Sequence, residues 1–226
     1  RAALAHDPGY VVMPEDSRFI DTPDTPQAHF DRFQFVYRPG STTVVASGRT
    51  DTPAVPGVVL RSTILDGKTG TGYAVDKQYL VPQGEFQPYL LATILRLAGA
   101  GPAVAQISDH LAYRPGPLAR QRHLPAHIPG VLFCFESVAP RAAWQLTRER
   151  EVPFLAHLVS HGWFHDPHQL WHQLDAMLRV QAVWSGVPIV SAGNMVDGAL
   201  YTPDGVKRPP VRVDQGARWE LGRFEL

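Results

Sequence analysis

The chain has 226 residues, 44% hydrophobic and 19% charged, and this composition predicts a folded globular protein rather than a disordered one. Its 21 Lys and Arg residues balance its 21 Asp and Glu residues, so no net basic field would attract nucleic acid, and we expect no nucleic-acid partner. The single cysteine excludes an internal disulfide, and no uninterrupted apolar run reaches the roughly 18 residues of a membrane span.

The first predicted strand is the apolar run at residues 10–13, which follows an Asp-Pro-Gly turn. Its composition is typical of a buried parallel strand. Glu15 lies at the carboxyl end of this strand, and in open α/β sheets that edge is where ligands bind. The carboxylate is therefore a candidate acid or base, although a solvated loop residue or a helix cap would fit the same position.

A helix, a strand and a hairpin are predicted next. Residues 27–37 have an amphipathic pattern, and residues 42–46 are β-branched and typical of a strand. Two further apolar strands flank the turn dipeptide Asp66-Gly67, which predicts an antiparallel hairpin. Lys77 directly follows the second hairpin strand, and Glu85 lies in a loop bounded by proline and glycine.

Cys134 follows the apolar residues 131–133, and a helix is predicted over residues 139–150. The cysteine would then occupy a strand-to-helix turn, where a side chain is presented to substrate. These residues alone leave two interpretations open, a catalytic nucleophile and a buried, inert thiol.

Downstream, residues 154–159 and 187–190 are predicted strands, residues 199–205 predict a hairpin, and the sequence after Gly205 is uninformative. His168 and His172 are four apart on a helix predicted to begin at Pro167, a spacing that can present two ligands to zinc. No third ligand is evident. We therefore expect neither a metal nor a cofactor. We expect the four histidines of this region to pack around Trp163, Phe164 and Trp171; they are His161, His165, His168 and His172.

Four short segments carry a more specific signal: MPE at 13–15, YAVDKQYLVPQGEFQP at 73–88, YRPG at 113–116 and FCFES at 133–137. Together they resemble the nitrilase (carbon-nitrogen hydrolase) superfamily. The lysine ahead of LVP-x-GEF, and the Pro-Gly segment ahead of a CFE cysteine, are most similar to the catalytic domain of bacterial apolipoprotein N-acyltransferases.

The resemblance implies a fold, a location and partners. The expected fold is the α/β nitrilase-type αββα sandwich, in which two mixed sheets are flanked by helices. Residues 1–226 would form one such domain, as a fragment that lacks the first strand and follows a membrane-helix domain in its parent protein. The implied location is the bacterial cytoplasmic (inner) membrane, with this domain facing the outside or periplasm. The implied partners are a phospholipid acyl donor and a lipoprotein acceptor.

The resemblance also implies residue roles. Glu15 matches the general base, Lys77 the group that stabilises the tetrahedral intermediate, and Cys134 the nucleophile. Supporting or substrate-binding positions are Glu85, Phe135, Glu136 and Trp163. A carboxylate is needed to take the thiol proton at neutral pH, and a fixed ammonium favours the developing oxyanion. The Leu-rich residues 89–105 are either an ordinary core helix or, as the resemblance favours, a short segment near the membrane that would line an apolar groove.

The family pattern is not complete. An Asn-Asp pair is usual where this chain has His161-Gly162, and a glutamate is usual where it has Trp184. Three functions therefore stay open: acyl transfer from phospholipid to an amino-terminal cysteine amine through a Cys134 thioester, soluble amide or nitrile hydrolysis with the same Glu-Lys-Cys triad, and ligand binding by a degenerate, non-catalytic domain.

Overall fold

The structure, a computed structural model, describes residues 2–17, 25–37, 40–52, 55–82, 84–110, 113–117, 121–163 and 168–226. In the first sheet β1 pairs in parallel with β2, whereas β2, β3 and β4 are antiparallel. These strands are β1 (Tyr10–Val12), β2 (Thr43–Thr52), β3 (Val55–Asp66) and β4 (Thr71–Asp76). The antiparallel hairpin predicted around Asp66-Gly67 is confirmed.

The second sheet is also mixed, with β5, β6 and β7 parallel and β8 and β9 antiparallel to their neighbours. Its strands are β5 (Gly130–Phe133), β6 (Leu155–Ser160), β7 (Ile189–Asn194), β8 (Ala199–Tyr201) and β9 (Lys207–Arg208). A separate hairpin at the carboxyl end consists of β10 (Val211–Gly216) and β11 (Trp219–Arg223), which the sequence did not predict.

Five helices lie in the described parts of the chain: α1 (Pro26–Tyr37), α2 (Tyr89–Leu97), α3 (Gly101–His110), α4 (Pro140–Glu149) and α5 (His168–Ser185). Short 3-10 turns span Ala3–His6, Cys134–Val138 and His161–Trp163. The predicted helix start at Pro167 lies outside the described residues. None of the helices in the ranges given above is long and apolar enough to cross a lipid bilayer.

The alternating side chains of the strands build a layered core. One cluster joins the facing surfaces of the sheets, with Val45 and Ile64 from the first and Phe133 and Leu158 from the second. On the outer face of the second sheet, residues such as Leu132 pack against α4 and α5. On the outer face of the first sheet, α1 packs through its phenylalanines. The predicted α/β architecture of two mixed sheets with helices is thus confirmed.

Helix α2 contradicts the interpretation of residues 89–105 as an ordinary core helix. Ala92 is its buried residue, whereas Leu90 is 74% exposed and Leu97 is 84% exposed. Leu90, Ile94 and Leu97 follow the i, i+4, i+7 spacing of one helix face, so this face is apolar and turned towards solvent. The segment is a short helix with its apolar side uncovered.

The cluster between the sheets should dominate stability. Leu158 is fully buried there, so we expect Leu158→Ala to lower the free energy of unfolding by about 2–5 kcal/mol. The matched control Leu97→Ala removes an exposed leucine and should change it by no more than about 0.5 kcal/mol. Urea unfolding followed by circular dichroism measures both. Equal effects of the two substitutions would contradict the assignment of the core.

Candidate active site

The centre of the candidate site is the side chain of Lys77, the residue that follows β4. It is fully buried, and its Nζ atom lies 2.6 Å from Glu85 Oε1 and 3.2 Å from Glu15 Oε1. Burial alone would lower the pKa of Lys77, but the Glu15 and Glu85 carboxylates raise it well above its usual range. The lysine is therefore a permanent positive charge enclosed by protein.

Glu15 lies just beyond the carboxyl end of β1 and is 5% exposed. Its backbone oxygen accepts a hydrogen bond of 2.8 Å from the Asn194 side chain, at the end of β7, which ties the two sheets together beside the site. Burial raises the pKa of Glu15 to about 7, with Lys77 acting in the opposite direction and Glu85 in the same one. Glu15 can therefore exchange a proton near neutral pH.

Glu85 is positioned by a compact turn. Its Oε2 atom accepts a hydrogen bond of 2.9 Å from the backbone N–H of Val81, and its own N–H donates to the Val81 carbonyl at 2.8 Å. The other carboxylate oxygen is the one that contacts Lys77. The turn thus fixes a second carboxylate against the ammonium.

Glu136 connects the ends of β4 and β5 rather than joining the charged cluster directly. Its Oε1 accepts hydrogen bonds from the backbone N–H groups of Gln78 (2.8 Å) and Tyr79 (3.2 Å), and its Oε2 accepts one from Phe133 (2.9 Å). We call this arrangement the Glu136 bridge. Burial raises the pKa of Glu136, while the three N–H donors act in the opposite direction. With its oxygens occupied by main-chain donors, this carboxylate fixes backbone geometry.

Cys134 is the first residue of the 3-10 turn after β5, and 7% of its surface is exposed. Its φ of 34° lies in the left-handed region, which non-glycine residues rarely adopt. Burial and then Glu15 raise the pKa of Cys134 to about 12, whereas Lys77 and the backbone N–H of Ser160 lower it. The thiol therefore keeps its proton at neutral pH unless a neighbouring base removes it.

No protein-family model matches the chain. An apolipoprotein N-acyltransferase of Sinorhizobium medicae is 29% identical over 211 residues, which cover 88% of this chain and 37% of that protein. The chain therefore spans little more than a third of the length of this curated relative.

Solved structures resemble the whole architecture. A carbon-nitrogen hydrolase from Helicobacter pylori G27 matches 92% of this chain and 78% of its own, with a TM-score of 0.58 and 11% identity. A mutant amidase of the nitrilase superfamily from Nesterenkonia AN1 matches 98% of this chain and 77% of its own, with a TM-score of 0.56 and 15% identity. Saccharomyces cerevisiae Nit3 matches 90% of this chain and 73% of its own, with a TM-score of 0.53 and 15% identity.

The fold is that of the nitrilase superfamily. The resemblance predicted from the four sequence segments is thereby confirmed at the level of the fold. The curated relative is an apolipoprotein N-acyltransferase, which agrees with the more specific resemblance to that group. These neighbours in the nitrilase fold include enzymes with an active-site cysteine: in one structure of the Nesterenkonia amidase, acrylamide has added to that residue.

Within this nitrilase fold, the YRPG segment supports Lys77 through its backbone. The Gly116 N–H donates to the Lys77 carbonyl at 3.1 Å, and the Gln78 side chain donates to the Gly116 carbonyl at 2.5 Å. A Cβ atom on Gly116 would lie 2.1 Å from that of Asp76, so no larger residue fits there without rearrangement. Asp76 is itself fixed by Arg61 through two hydrogen bonds of 2.6 and 3.0 Å.

The predicted site residues are mostly brought together. Glu15, Lys77 and Glu85 are in direct contact, and Cys134 lies within electrostatic reach of all three. Phe135 and Glu136 follow Cys134 in the same 3-10 turn. Trp163 ends the His161–Trp163 turn after β6, but its side chain is outside the described parts. The catalytic and supporting roles of these residues stay predictions.

The histidines are distributed differently from our expectation. His168 and His172 are exposed on α5, so they do not pack in the interior, and the described ranges contain no group of three or more residues suited to a metal ion. His161 does pack against Trp171, with ring centroids 4.7 Å apart. Phe164 and His165 lie outside the described residues.

Three residues that contact Cys134 or Glu15 were not singled out from the sequence: His157, Ser160 and Asn194. The backbone N–H of Ser160 acts on the thiol, and His157 contacts the Cys134 carbonyl. A usable signal existed for His157, because it is the one ionisable side chain in the otherwise apolar predicted strand at 154–159. Asn194 follows the residues predicted as a strand and carried no such signal.

The pKa shifts predict how the reactivity of Cys134 depends on pH. Below about pH 7, Glu15 is protonated and cannot accept the thiol proton, so alkylation by iodoacetamide should be slow and should accelerate as pH rises through about 7. Intact-mass measurement of the adduct gives the rates. Glu15→Gln should remove this rise of the alkylation rate near pH 7, whereas the exposed control Glu151→Gln should retain it. A rate that rises only near the high pKa of the thiol itself would contradict Glu15 as the base.

Proposed function

We propose that this chain is the catalytic domain of an acyltransferase of the apolipoprotein N-acyltransferase type, with Cys134 as nucleophile. The observation that carries the proposal is the buried cluster in which Lys77 lies between Glu15 and Glu85 beside an electrostatically coupled thiol. The similarity to the Sinorhizobium medicae apolipoprotein N-acyltransferase favours acyl transfer as the chemistry.

In the first half-reaction, Glu15 takes the Cys134 proton and the sulfur attacks the ester carbonyl of a phospholipid. The oxyanion that forms is stabilised by the Lys77 ammonium, a contribution of about 3–4 kcal/mol in a water-poor site. Cleavage of the ester bond expels the alcohol oxygen of the lysophospholipid, which takes the proton from Glu15. The products are a free alcohol and a Cys134 thioester.

In the second half-reaction, the amino-terminal amine of a lipoprotein attacks the thioester carbonyl. Glu15 takes the proton that the attacking nitrogen loses, and Lys77 again faces the oxyanion. Cleavage of the carbon–sulfur bond releases an amide, and the proton on Glu15 returns to the Cys134 sulfur. The cycle restores the starting protonation states and requires neither a metal nor a cofactor.

Water as acceptor is the alternative. It is favoured by the neighbours in the nitrilase fold, which include a carbon-nitrogen hydrolase and an amidase. The same three side chains perform both reactions, so access of water to the thioester separates them. We propose that Leu90, Leu91, Ile94 and Leu95 on one side, with Phe135 on the other, line an apolar groove that admits an acyl chain and limits water.

The proposed location follows from the same argument. A phospholipid donor requires the domain to work at a membrane surface, and we place it outside the bacterial inner membrane as one domain of a longer protein. The apolar face of α2 supports this, since Leu90, Ile94 and Leu97 are exposed and the helix carries no acidic residue.

Acyl transfer predicts a covalent intermediate. Incubation with phospholipid but no amine should produce a Cys134 adduct one acyl chain heavier, detected by intact mass, and addition of an amino-terminal cysteine peptide should discharge it. Cys134→Ala, Glu15→Gln and Lys77→Met should each lose nearly all of this activity, with double variants little worse than single ones.

Circular dichroism of each variant serves as the control for folding, which matters most for Lys77→Met because it leaves two buried carboxylates without their cation. Adduct formation by folded Cys134→Ala would refute every covalent mechanism considered above. Rapid release of ammonia from simple amides, with no lipid adduct on the unmodified protein, would instead favour the hydrolase.

The exposed face of α2 predicts binding to membranes. The chain should co-sediment with phosphatidylcholine vesicles, and Leu90→Glu combined with Leu97→Glu should weaken binding roughly tenfold, because both leucines lose their place in the interface. Trp144→Glu on α4 is the matched control, since Trp144 is also exposed and lies on a helix that packs on the second sheet. Equal losses in both variants would indicate general apolar adhesion and contradict a role for α2.

A further inference from the structure

His157 is a buried ionisable residue that the proposed reaction does not use. It lies in β6 with 1% of its surface exposed, and its register partner in the parallel strand β7 is Ser191. Leu155 and Ile189, two positions earlier on the same strands, pack against α4 and α5. Since side chains alternate along a strand, His157 and Ser191 share that helix-facing side of the second sheet.

The hydrogen bonds of His157 determine its tautomer. Its Nε2 lies 3.1 Å from the backbone oxygen of Cys134, and its Nδ1 lies 2.9 Å from Ser191 Oγ. A carbonyl oxygen only accepts, so Nε2 must carry a proton; in the uncharged ring Nδ1 then accepts and the Ser191 hydroxyl donates. The direction of donation runs from Ser191 through His157 to Cys134.

The residue at the end of this chain of hydrogen bonds is the one with an unfavourable backbone. A φ of 34° at Cys134 costs on the order of 1–3 kcal/mol, and it persists only where neighbouring contacts enforce it. Two hydrogen bonds converge on the Cys134 carbonyl: the local one from Ser137 Oγ, at 2.7 Å, and the one from His157 in the adjacent strand.

The fixed carbonyl also fixes the next amide. Across a planar trans peptide bond the C=O and N–H groups point in opposite directions. The Cys134 carbonyl contacts a side chain on the helix-facing side, so the Phe135 N–H is directed away from that side. The first sheet, which carries Glu15 and Lys77, lies on the other face of the second sheet.

We propose that His157 is a positioning residue: through the Cys134 carbonyl it maintains the left-handed conformation of the nucleophile and directs the thiol and the Phe135 N–H towards Lys77. The proposal rests on Cys134 as the nucleophile but is independent of whether an amine or water accepts the acyl group. His157 acts without touching substrate.

Burial keeps His157 in the form that this role needs. It lowers the pKa of His157 to about 4, against the raising effect of the hydrogen bond to the Cys134 carbonyl. Across the neutral range the imidazole is therefore uncharged and keeps one donor and one acceptor nitrogen. The contact with Cys134 does not vary with pH in the range where Glu15 titrates.

The test is the alkylation rate of Cys134 by iodoacetamide at pH 8, which requires no lipid substrate. His157→Leu removes both hydrogen bonds at similar volume and should slow alkylation at least tenfold. His157→Gln can still donate to the Cys134 carbonyl, so its alkylation rate should lie within about threefold of that of the unmodified chain. The alkylation rate of Ser191→Ala should lie between the rates of these two His157 variants. Ser62→Ala, which removes a buried hydrogen bond to Ala46 in the first sheet, should leave the rate unchanged.

Thermal unfolding of each variant separates positioning from general damage. A merely structural role predicts that the alkylation rate follows stability, so that Ser62→Ala and Ser191→Ala of equal stability react alike; that result would overturn the proposal. Wild-type reactivity in folded His157→Leu would overturn it too. If His157→Leu does not fold, the comparison of Ser191→Ala with Ser62→Ala decides by the same criterion.

Comparison of the alkylation series with adduct formation from phospholipid distinguishes this inference from the proposed function. If no acyl adduct forms from phospholipid while the alkylation series keeps its order, the acyltransferase proposal fails and the role of His157 stands. If the lipid adduct forms at the same rate in folded His157→Leu and in the unmodified chain, the role of His157 fails and the acyltransferase proposal stands.

Discussion

The burial of the Lys77 ammonium is the constraint on which the rest of the site depends. Removing such an ion from water costs several kcal/mol, and an opposite charge compensates only when its geometry is fixed. Glu15 and Glu85 provide that compensation at 3.2 and 2.6 Å. The turn that fixes Glu85 and the Asn194 side chain that fixes the Glu15 backbone can both be understood as consequences of this single buried charge.

The site is assembled between two sheets rather than within one. Glu15 and Lys77 end strands of the first sheet, whereas Cys134 ends a strand of the second, so their relative positions depend on how the sheets pack. The apolar cluster between the sheets determines their separation, and the Glu136 bridge determines the alignment of their ends. The geometry of the candidate site therefore depends on core packing.

Much of this arrangement could be predicted from the sequence, because the strands that carry Glu15, Lys77 and Cys134 are apolar runs bounded by clear turn signals. The exposure of α2 could not, because apolar periodicity identifies a helix face without identifying what covers it. The β10–β11 hairpin alternates apolar and polar residues only over residues 211–214 and 219–221, and runs this short do not by themselves predict strands. The partner of His157 depends on strand register, which local sequence does not encode.

The Glu136 bridge has a consequence for which positions can vary. Its carboxylate is bound by main-chain N–H groups of Gln78, Tyr79 and Phe133, so their side chains take no part in the connection. Any residue except proline supplies the same donor at these positions. The Tyr79 side chain can thus be exchanged without loss of the bridge, whereas the Gln78 side chain is also held by its hydrogen bond to the Gly116 carbonyl. At Tyr79 the side chain can vary while the backbone N–H of the same residue stays bound to Glu136.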